Sequence, residues 1–219
     1  MKRRIIRWTI GIVMTAITLT GVSCTKEKAG KKETAKTPPG HEKMVEGYKK
    51  GVEESKGVVV AKVNGAEITM RDLIERMNQI APQYAKDPRD LTPELDQKVR
   101  KEAFDILIFR ELAVQEAVRQ GLKVPPGEID EVLKNIKANA GSQDAYKGYL
   151  GRAGLNEESL RKQIGRNLLF DMVVDTEIFR KAKGEGNREQ AIEKRKRQWE
   201  AELKKKAKIE IILGVVIKD

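Results

Sequence analysis

The sequence predicts a mainly α fold, a multi-helix domain closed by a small β-sheet of its N- and C-terminal strands. Three observations point there. Aromatic residues make up 5% of the chain, while Lys, Glu, Leu, Ile, Val and Ala dominate, which favours helices over a β-sandwich. The stretch Ala103 to Val118 is apolar around most of its helical circumference, as a central helix would be. Strand-like runs stand at both ends of the folded part, Val58 to Val63 and Ala207 to Leu213. Pairing them would hide edges that otherwise invite aggregation.

The central helix is bounded by its own signals. Thr92-Pro93 offers an N-cap and an N1 proline, and Gly121 offers a C-terminal stop. The span Pro93 to Gln120 then measures roughly 40 Å at 1.5 Å per residue. Val99, Ala103, Ile106, Leu107, Val114 and Val118 form its stripe, and Phe104, Ile108, Phe109 and Leu112 spill onto other faces.

Before it, Asn64-Gly65 is a type I′ turn signal between Val58–Val63 and a returning strand, Ala66–Thr69. Thr69 followed by Asp72 opens a helix to about Ile80, with Leu73, Ile74, Met77 and Ile80 inward. Pro82, Pro88 and Pro93 punctuate the connection onward. After Gly121, a helix runs from about Glu128 to Ala140, and a shorter one from Gln143 to Arg152. Asn156 caps a second long helix that carries Leu160, Ile164, Leu168, Met172 and Phe179 on one face. Lys183 to Asn187 breaks the chain before a last helix, Arg188 to Lys206, with a narrow stripe of Ile192, Trp199 and Leu203.

Composition excludes several chemistries. The chain has 219 residues, one cysteine (Cys24) and one histidine (His41). An intrachain disulfide framework or a Cys/His zinc site cannot be assembled, and a His-activated nucleophile would have to use His41, in the least structured stretch. No catalytic residue, metal or cofactor is indicated.

Met1 to Ser23 has the layout of an export signal. Lys2, Arg3, Arg4 and Arg7 precede the uncharged run Trp8 to Leu19 and then small residues. Its roughly 16 apolar or small residues fall short of the about 20 that span a bilayer. Thr20-Gly21-Val22-Ser23-Cys24 resembles a bacterial lipobox, although Gly21 stands where leucine is commonest. The resemblance implies cleavage before Cys24 and attachment there of a diacylglycerol and a fatty acyl chain such as palmitate. Thr25, in place of the aspartate that marks inner-membrane retention in some bacteria, favours the outer membrane. An uncleaved anchor is the alternative and tethers the same domain outside the cytoplasm. Removing the signal takes four basic residues and no acidic one, so the net charge falls from +11 to +7. Residues 24–57 then read as a lipidated flexible tether, rich in Lys, Glu, Thr, Gly and Pro. The 33 residues from Thr25 to Gly57 have a coil span of roughly 30 Å. Residues 58–219 are the folded domain.

The order of motifs is recognisable. Ala61-Lys62-Val63-Asn64-Gly65-Ala66-Glu67-Ile68-Thr69 leads into a helix, the long helix ends in Gly121-Leu122-Lys123-Val124, and Glu128-Ile129-Asp130 follows. Gly154-Leu155-Asn156 precedes Leu160-Arg161-Lys162-Gln163-Ile164, and Lys206-Ala207-Lys208-Ile209-Glu210 closes the series. Over Val58 to Leu213 this resembles the N-terminal chaperone domain of SurA-type periplasmic chaperones, shared in outline with PrsA-type foldase lipoproteins and trigger factor. Those families commonly place a parvulin-type prolyl isomerase domain where this chain has only Lys183 to Asn187. A parvulin site typically uses paired histidines, and residues 58–219 contain none. The resemblance therefore implies the chaperone module without isomerase activity.

The expected role is an ATP-independent, membrane-anchored holdase for unfolded exported or outer-membrane polypeptides. Met77, Tyr146, Tyr149 and Leu150 are the candidate client-facing residues, since Met and Tyr suit adaptable contacts. Two alternatives are an adaptor lipoprotein with one folded partner and an isomerase relative that has lost its catalytic domain. Arg188 to Lys208 holds nine basic and four acidic residues. On an exported chain this reads as a solvated face, or one attracted to anionic lipid or acidic clients, rather than a nucleic-acid site. Sequence does not fix the oligomeric state.

Overall fold

The computed structural model describes residues 57–85, 90–182 and 187–212. The export signal, Cys24, nearly all of the tether, Pro88, residues 183–186 of the break and Leu213 lie outside the described residues.

The chain begins with a hairpin. Strand β1 (Val59–Val63) pairs antiparallel with β2 (Ala66–Thr69). Asn64 and Gly65 connect them with φ of 51° and 87°, the two left-handed residues that a type I′ turn requires. Pairing jumps from Val59↔Thr69 to Ala61↔Ile68, so Val60 is a bulge residue. Strand β3 (Ile209–Ile211) pairs antiparallel with the other edge of β1, giving the order β2-β1-β3. The terminal strands do close the domain, over a shorter stretch than Ala207 to Leu213.

Asn64 fastens that closure. Its backbone N–H donates to the Lys208 carbonyl at 2.8 Å, and its side-chain oxygen accepts from the Lys208 N–H at 2.8 Å. Its Nδ2 donates to Gln115 Oε1 at 2.7 Å, and Gln115 Nε2 donates to the Val63 carbonyl at 2.9 Å. One turn residue thus ties the closing strand and the central helix to the hairpin. Asn64→Ala should destabilise the domain by about 1–2 kcal/mol, through the left-handed backbone and the lost side-chain bonds. Asn64→Gly keeps the backbone freedom and should cost less. Urea denaturation of both variants checks the ranking, and an equal cost would show that backbone conformation contributes nothing.

Helix α1 (Met70–Ile80) starts at a capping box. Asp72 N donates to Thr69 Oγ1 at 3.2 Å, and Thr69 N donates to Asp72 Oδ2 at 2.9 Å. A 3₁₀ turn, Ala81–Gln83, contains Pro82. Helix α2 (Pro93–Arg119) is the predicted central helix, N-capped by Thr92. It ends in a Schellman motif: Leu122 N donates to the Ala117 carbonyl and Gly121 N to that of Val118, with Gly121 at φ 70°. Helices α3 (Glu128–Ala140), α4 (Gln143–Ala153) and α5 (Glu157–Val174) follow. Ser142 caps α4 and Asn156 caps α5.

The second long helix does not continue as an α-helix to Phe179. Asp175–Arg180 is a π-helical turn, and Thr176 Oγ1 donates back to the Met172 carbonyl at 3.0 Å. The wider winding turns Glu177 and Ile178 inward and leaves Phe179 half-buried. Helix α6 (Arg188–Lys206) is capped by Asn187 and delivers the chain to β3.

Three apolar clusters hold these elements. In the first, Val60, Ala61, Val63 and Ile68 of the hairpin meet Leu73 and Ile80 of α1 and one face of α2 from Val99 to Leu112, including Phe104. In the second, Phe109, Ala113 and Ala117 of α2 meet Val173, Ile178 and Trp199. The third consists of Leu133 and Ile136 of α3, Tyr146 of α4, and Leu160 and Ile164 of α5. Leu203 of α6 packs against both the first and the second.

Helices α3 and α4 therefore form a lobe with the first half of α5 instead of packing along α2. The second half of α5 joins that lobe to the spine. Val118, expected in the inner stripe of α2, is 62% exposed.

Candidate functional site

The four candidate client-facing residues fall in two places. Met77 is half-buried against the first cluster, on the core side of α1. Tyr149 and Leu150 are half-buried against the third cluster. Tyr146 offers no outer surface, being 2% exposed inside the α3–α4–α5 lobe. Its hydroxyl donates to Glu157 Oε2 at 3.4 Å, and the Lys137 ammonium lies 5.2 Å from its ring centroid. In this conformation Tyr146 is a core residue of the lobe.

Tyr149 stands on the side of α4 that α1 approaches. Burial raises its phenol pKa above the usual value, and the charge of Glu75 on α1 raises it further. Arg71, also on α1, reaches the end of α4. A Cβ on Gly154 would stand 2.8 Å from Arg71 Nη1, and Gly154 has φ 57°. Glycine there meets both a conformational and a space requirement.

Arginines from three helices gather around Arg110. Burial lowers the pKa of Arg76 (α1), with Glu75 opposing, and Arg76 Nε is buried with no hydrogen-bond partner. An unsatisfied buried donor costs about 1–3 kcal/mol. Arg110 (α2) lies over the Phe170 ring at 4.7 Å and donates to Asn167 Oδ1 of α5. Burial lowers its pKa first, the charges of Arg76 and Arg166 lower it further, and Asp171 opposes them. The Asp171 carboxyl is raised by the apolar surroundings of its inner side, against the pull of Arg110. Arg166 is paired with Glu111.

These polar residues were not among the sequence candidates. Arg110 did carry a signal, since it is the one basic residue within the apolar stretch Ala103 to Val118. Arg76 and Asn167 carried none, because only folding brings α1 and α5 to the same side of α2.

Among the described residues no group of His, Cys, Asp and Glu could hold a metal ion. None of the described helices is long and apolar enough to cross a membrane. On α6, Lys194, Lys196, Arg197, Lys205 and Lys206 are exposed, and Trp199 is buried.

Comparisons with known proteins match the domain from its first strand to the end of α5. The family model described as SurA-like N-terminal domain matches residues 44–174, more than half of the chain. Similar curated relatives include Chaperone SurA of Chromobacterium violaceum, 26% identical over 55% of this chain and 28% of that protein. Chaperone SurA of Hahella chejuensis is 27% identical over 52% of this chain and 26% of that protein. Chaperone SurA of Pectobacterium atrosepticum is 32% identical over 39% of this chain and 20% of that protein. The chain thus spans about a quarter of the length of these curated relatives. On the match over residues 44–174, the chain belongs to the SurA-like N-terminal domain family.

Proposed function

We propose that this protein is an ATP-independent chaperone of the bacterial cell envelope, anchored by lipid at Cys24, that holds unfolded exported polypeptides. The family membership of residues 44–174 carries the reading, together with relatives that are named chaperones. In this reading residues 1–23 are the export signal, 24–57 the tether and 58–219 the working domain. The outer membrane is favoured by Thr25.

The partly exposed surface at Tyr149 and Leu150 is consistent with this reading. Tyr149 and Leu150 keep part of their apolar surface open, and α1 presents a charged rim opposite them. Each apolar client side chain buried there would contribute about 25 cal/mol per Å² before ordering costs. Several weak contacts of this kind give reversible holding, with no covalent step. Prolyl isomerase chemistry forms no part of the proposal, since residues 58–219 carry no histidine.

The test uses the full lipidated chain in detergent micelles, added to a denatured outer-membrane protein diluted out of urea. Light scattering should fall as the chaperone approaches equimolar amounts. Unchanged aggregation with several such clients would sink the holdase reading. Co-purification of one stoichiometric folded partner would favour an adaptor instead. Cys24→Ser should release the protein from the membrane fraction, and its retention there would rule out the lipid anchor.

A further inference from the structure

Helix α4 is secured by little of its own. Tyr146 is its single buried residue, where α3 buries Leu133 and Ile136 and α5 buries Leu160, Ile164 and Val173. Its 11 residues are too few for a helix that is stable alone in water. Two of them, Gly148 and Gly151, are interior glycines that packing does not require. A Cβ on Gly151 would meet nothing within 4 Å, and one on Gly148 would find the flexible Arg152 Nη1 at 3.4 Å. Each glycine disfavours the helix about four- to fivefold relative to alanine. Segments with so few buried contacts are the ones that open locally.

The apolar surface beneath α4 holds together without it. Leu133, Ile136, Leu160 and Ile164 form the third cluster with Tyr146. Arg161 Nη2 donates to Asp130 Oδ1 at 2.6 Å and Lys137 Nζ pairs with Glu157 at 2.8 Å, which joins α3 directly to α5. The two helices also approach closely at Gly165, where a Cβ would stand 3.4 Å from Ile129 Cδ1. Unwinding α4 would therefore uncover this surface without separating the helices that carry it. On that surface α4 places Tyr146, Tyr149 and Leu150, at spacings of three and four residues. An apolar stretch of an unfolded polypeptide can present side chains in the same way.

We propose that α4 is a detachable cover: it unwinds, and an apolar segment of an unfolded polypeptide takes its place against Leu133, Ile136, Leu160 and Ile164. The inference rests on the holding function and adds where the client sits and what it displaces. Tyr146, buried in the closed form, is the plug of this surface. Because the open form is the minor one, its population scales the apparent affinity for clients. Local stability and holding then oppose each other, so that whatever secures α4 weakens the grip on clients.

The double substitution Gly148→Ala/Gly151→Ala tests this, since it strengthens the fold and should weaken the function. It favours the docked helix about twentyfold. Hydrogen exchange of the full-length protein reads the cover directly. The amides of Gln143–Ala153 should exchange faster than those of α3 and α5 in the wild type, and about twentyfold more slowly in the double variant than in the wild type. Fluorescence anisotropy with a labelled, unstructured peptide of Gly, Ser, Leu and Phe reads the client side, and its Kd should rise about tenfold or more. Tyr146→Ala should move both readouts the other way, toward faster exchange and tighter binding.

Wild-type α4 amides as slow as those of α3 and α5, or amides that the two alanines do not slow, overturn the cover. So does an unchanged Kd in a double variant whose α4 exchange has slowed, or a peptide that does not bind while aggregation is suppressed. In those cases suppressed aggregation of the outer-membrane client leaves the holding function standing. If no peptide binds and aggregation is unaffected, the holding function falls and takes the cover with it.

Discussion

Replacing Trp199 with alanine is expected to cost the domain about 3–5 kcal/mol, lowering Tm by on the order of 10 °C. Trp199 is 2% exposed and meets Phe109 edge-on, with ring centroids 5.5 Å apart and an interplanar angle of 89°. Phe109 in turn meets Phe170 of α5 at 6.1 Å and 84°. Each such pair contributes about 0.5–1.5 kcal/mol beyond the area it buries. Trp199 is also the anchor of a helix whose stripe is otherwise thin: Ala191 is its other buried residue, and Ile192 and Leu203 are half-buried. Loss of the indole therefore loosens α6 as a whole, and β3 with it. Differential scanning calorimetry provides the measurement. Ile192→Ala serves as the control and should cost clearly less. A Trp199→Ala shift no larger than that of Ile192→Ala would show that α6 is not anchored here.

Glu177 is the second position at which one change is costly. It is 8% exposed on the π-helical turn. Gln120 Nε2 donates to it at 3.0 Å, Arg195 Nη2 donates at 3.3 Å, and Lys181 pairs with it. Arg195 Nε also donates to the Glu177 carbonyl at 2.9 Å. One carboxylate thereby joins the end of α2, the π-helical turn and α6. Burial is the strongest single influence and pushes its pKa up, but Lys181, Gln120 and Arg195 together outweigh it and hold the value below that of a free glutamate.

Glu177→Ala leaves Arg195 with Glu202 as its one carboxylate partner and should destabilise by on the order of 2–3 kcal/mol, below the full cost of breaking a buried pair because Lys181 is half exposed. A depressed carboxylate pKa means that the folded state binds fewer protons than the unfolded one. The stabilisation is complete above the unfolded value of about 4.3 and is lost as pH falls through the lower folded value. Urea midpoints from pH 7 down to pH 3 should therefore fall more steeply for the wild type than for Glu177→Gln. Parallel curves would mean that this carboxylate is not responsible for the acid sensitivity.

Local signals in the sequence translated directly into structure, and the reason is range. Thr69 with Asp72, Thr92 with Pro93, Asn156 and Gly121 each act on backbone groups within one turn, so a single sequence suffices to read them. Asn64-Gly65 is equally local, and the pairing of the terminal strands followed from the cost of leaving edges open.

What stayed hidden depends on partners far apart in the chain. Residues that are apolar around a helix show that it has neighbours without showing which ones. Hence α3 and α4 proved to share a cluster with α5 and not with α2. The π-helical turn was hidden because it shifts the inward position by one residue, from Phe179 to Ile178. Tyr149 and Leu150, singled out from the sequence, are half-buried on a short helix. The arginines gathered around Arg110 come from α1, α2 and α5, and no spacing rule connects those helices.

Strand β1 is a middle strand whose two neighbours arrive at very different times. Its first partner, β2, lies across a two-residue turn, whereas its second begins only at Ile209. Ala61 faces Ile211, so almost the whole domain must be spanned before that ladder closes. During synthesis or export from the N-terminus, the hairpin can form early but keeps one edge open until the final strand emerges. Closing so long a loop is paid in chain entropy before any contact is gained, and high contact order of this kind slows folding. A protein proposed to shelter unfinished chains would thus itself pass through a stage with an unpaired strand, ended by Asn64 receiving Lys208.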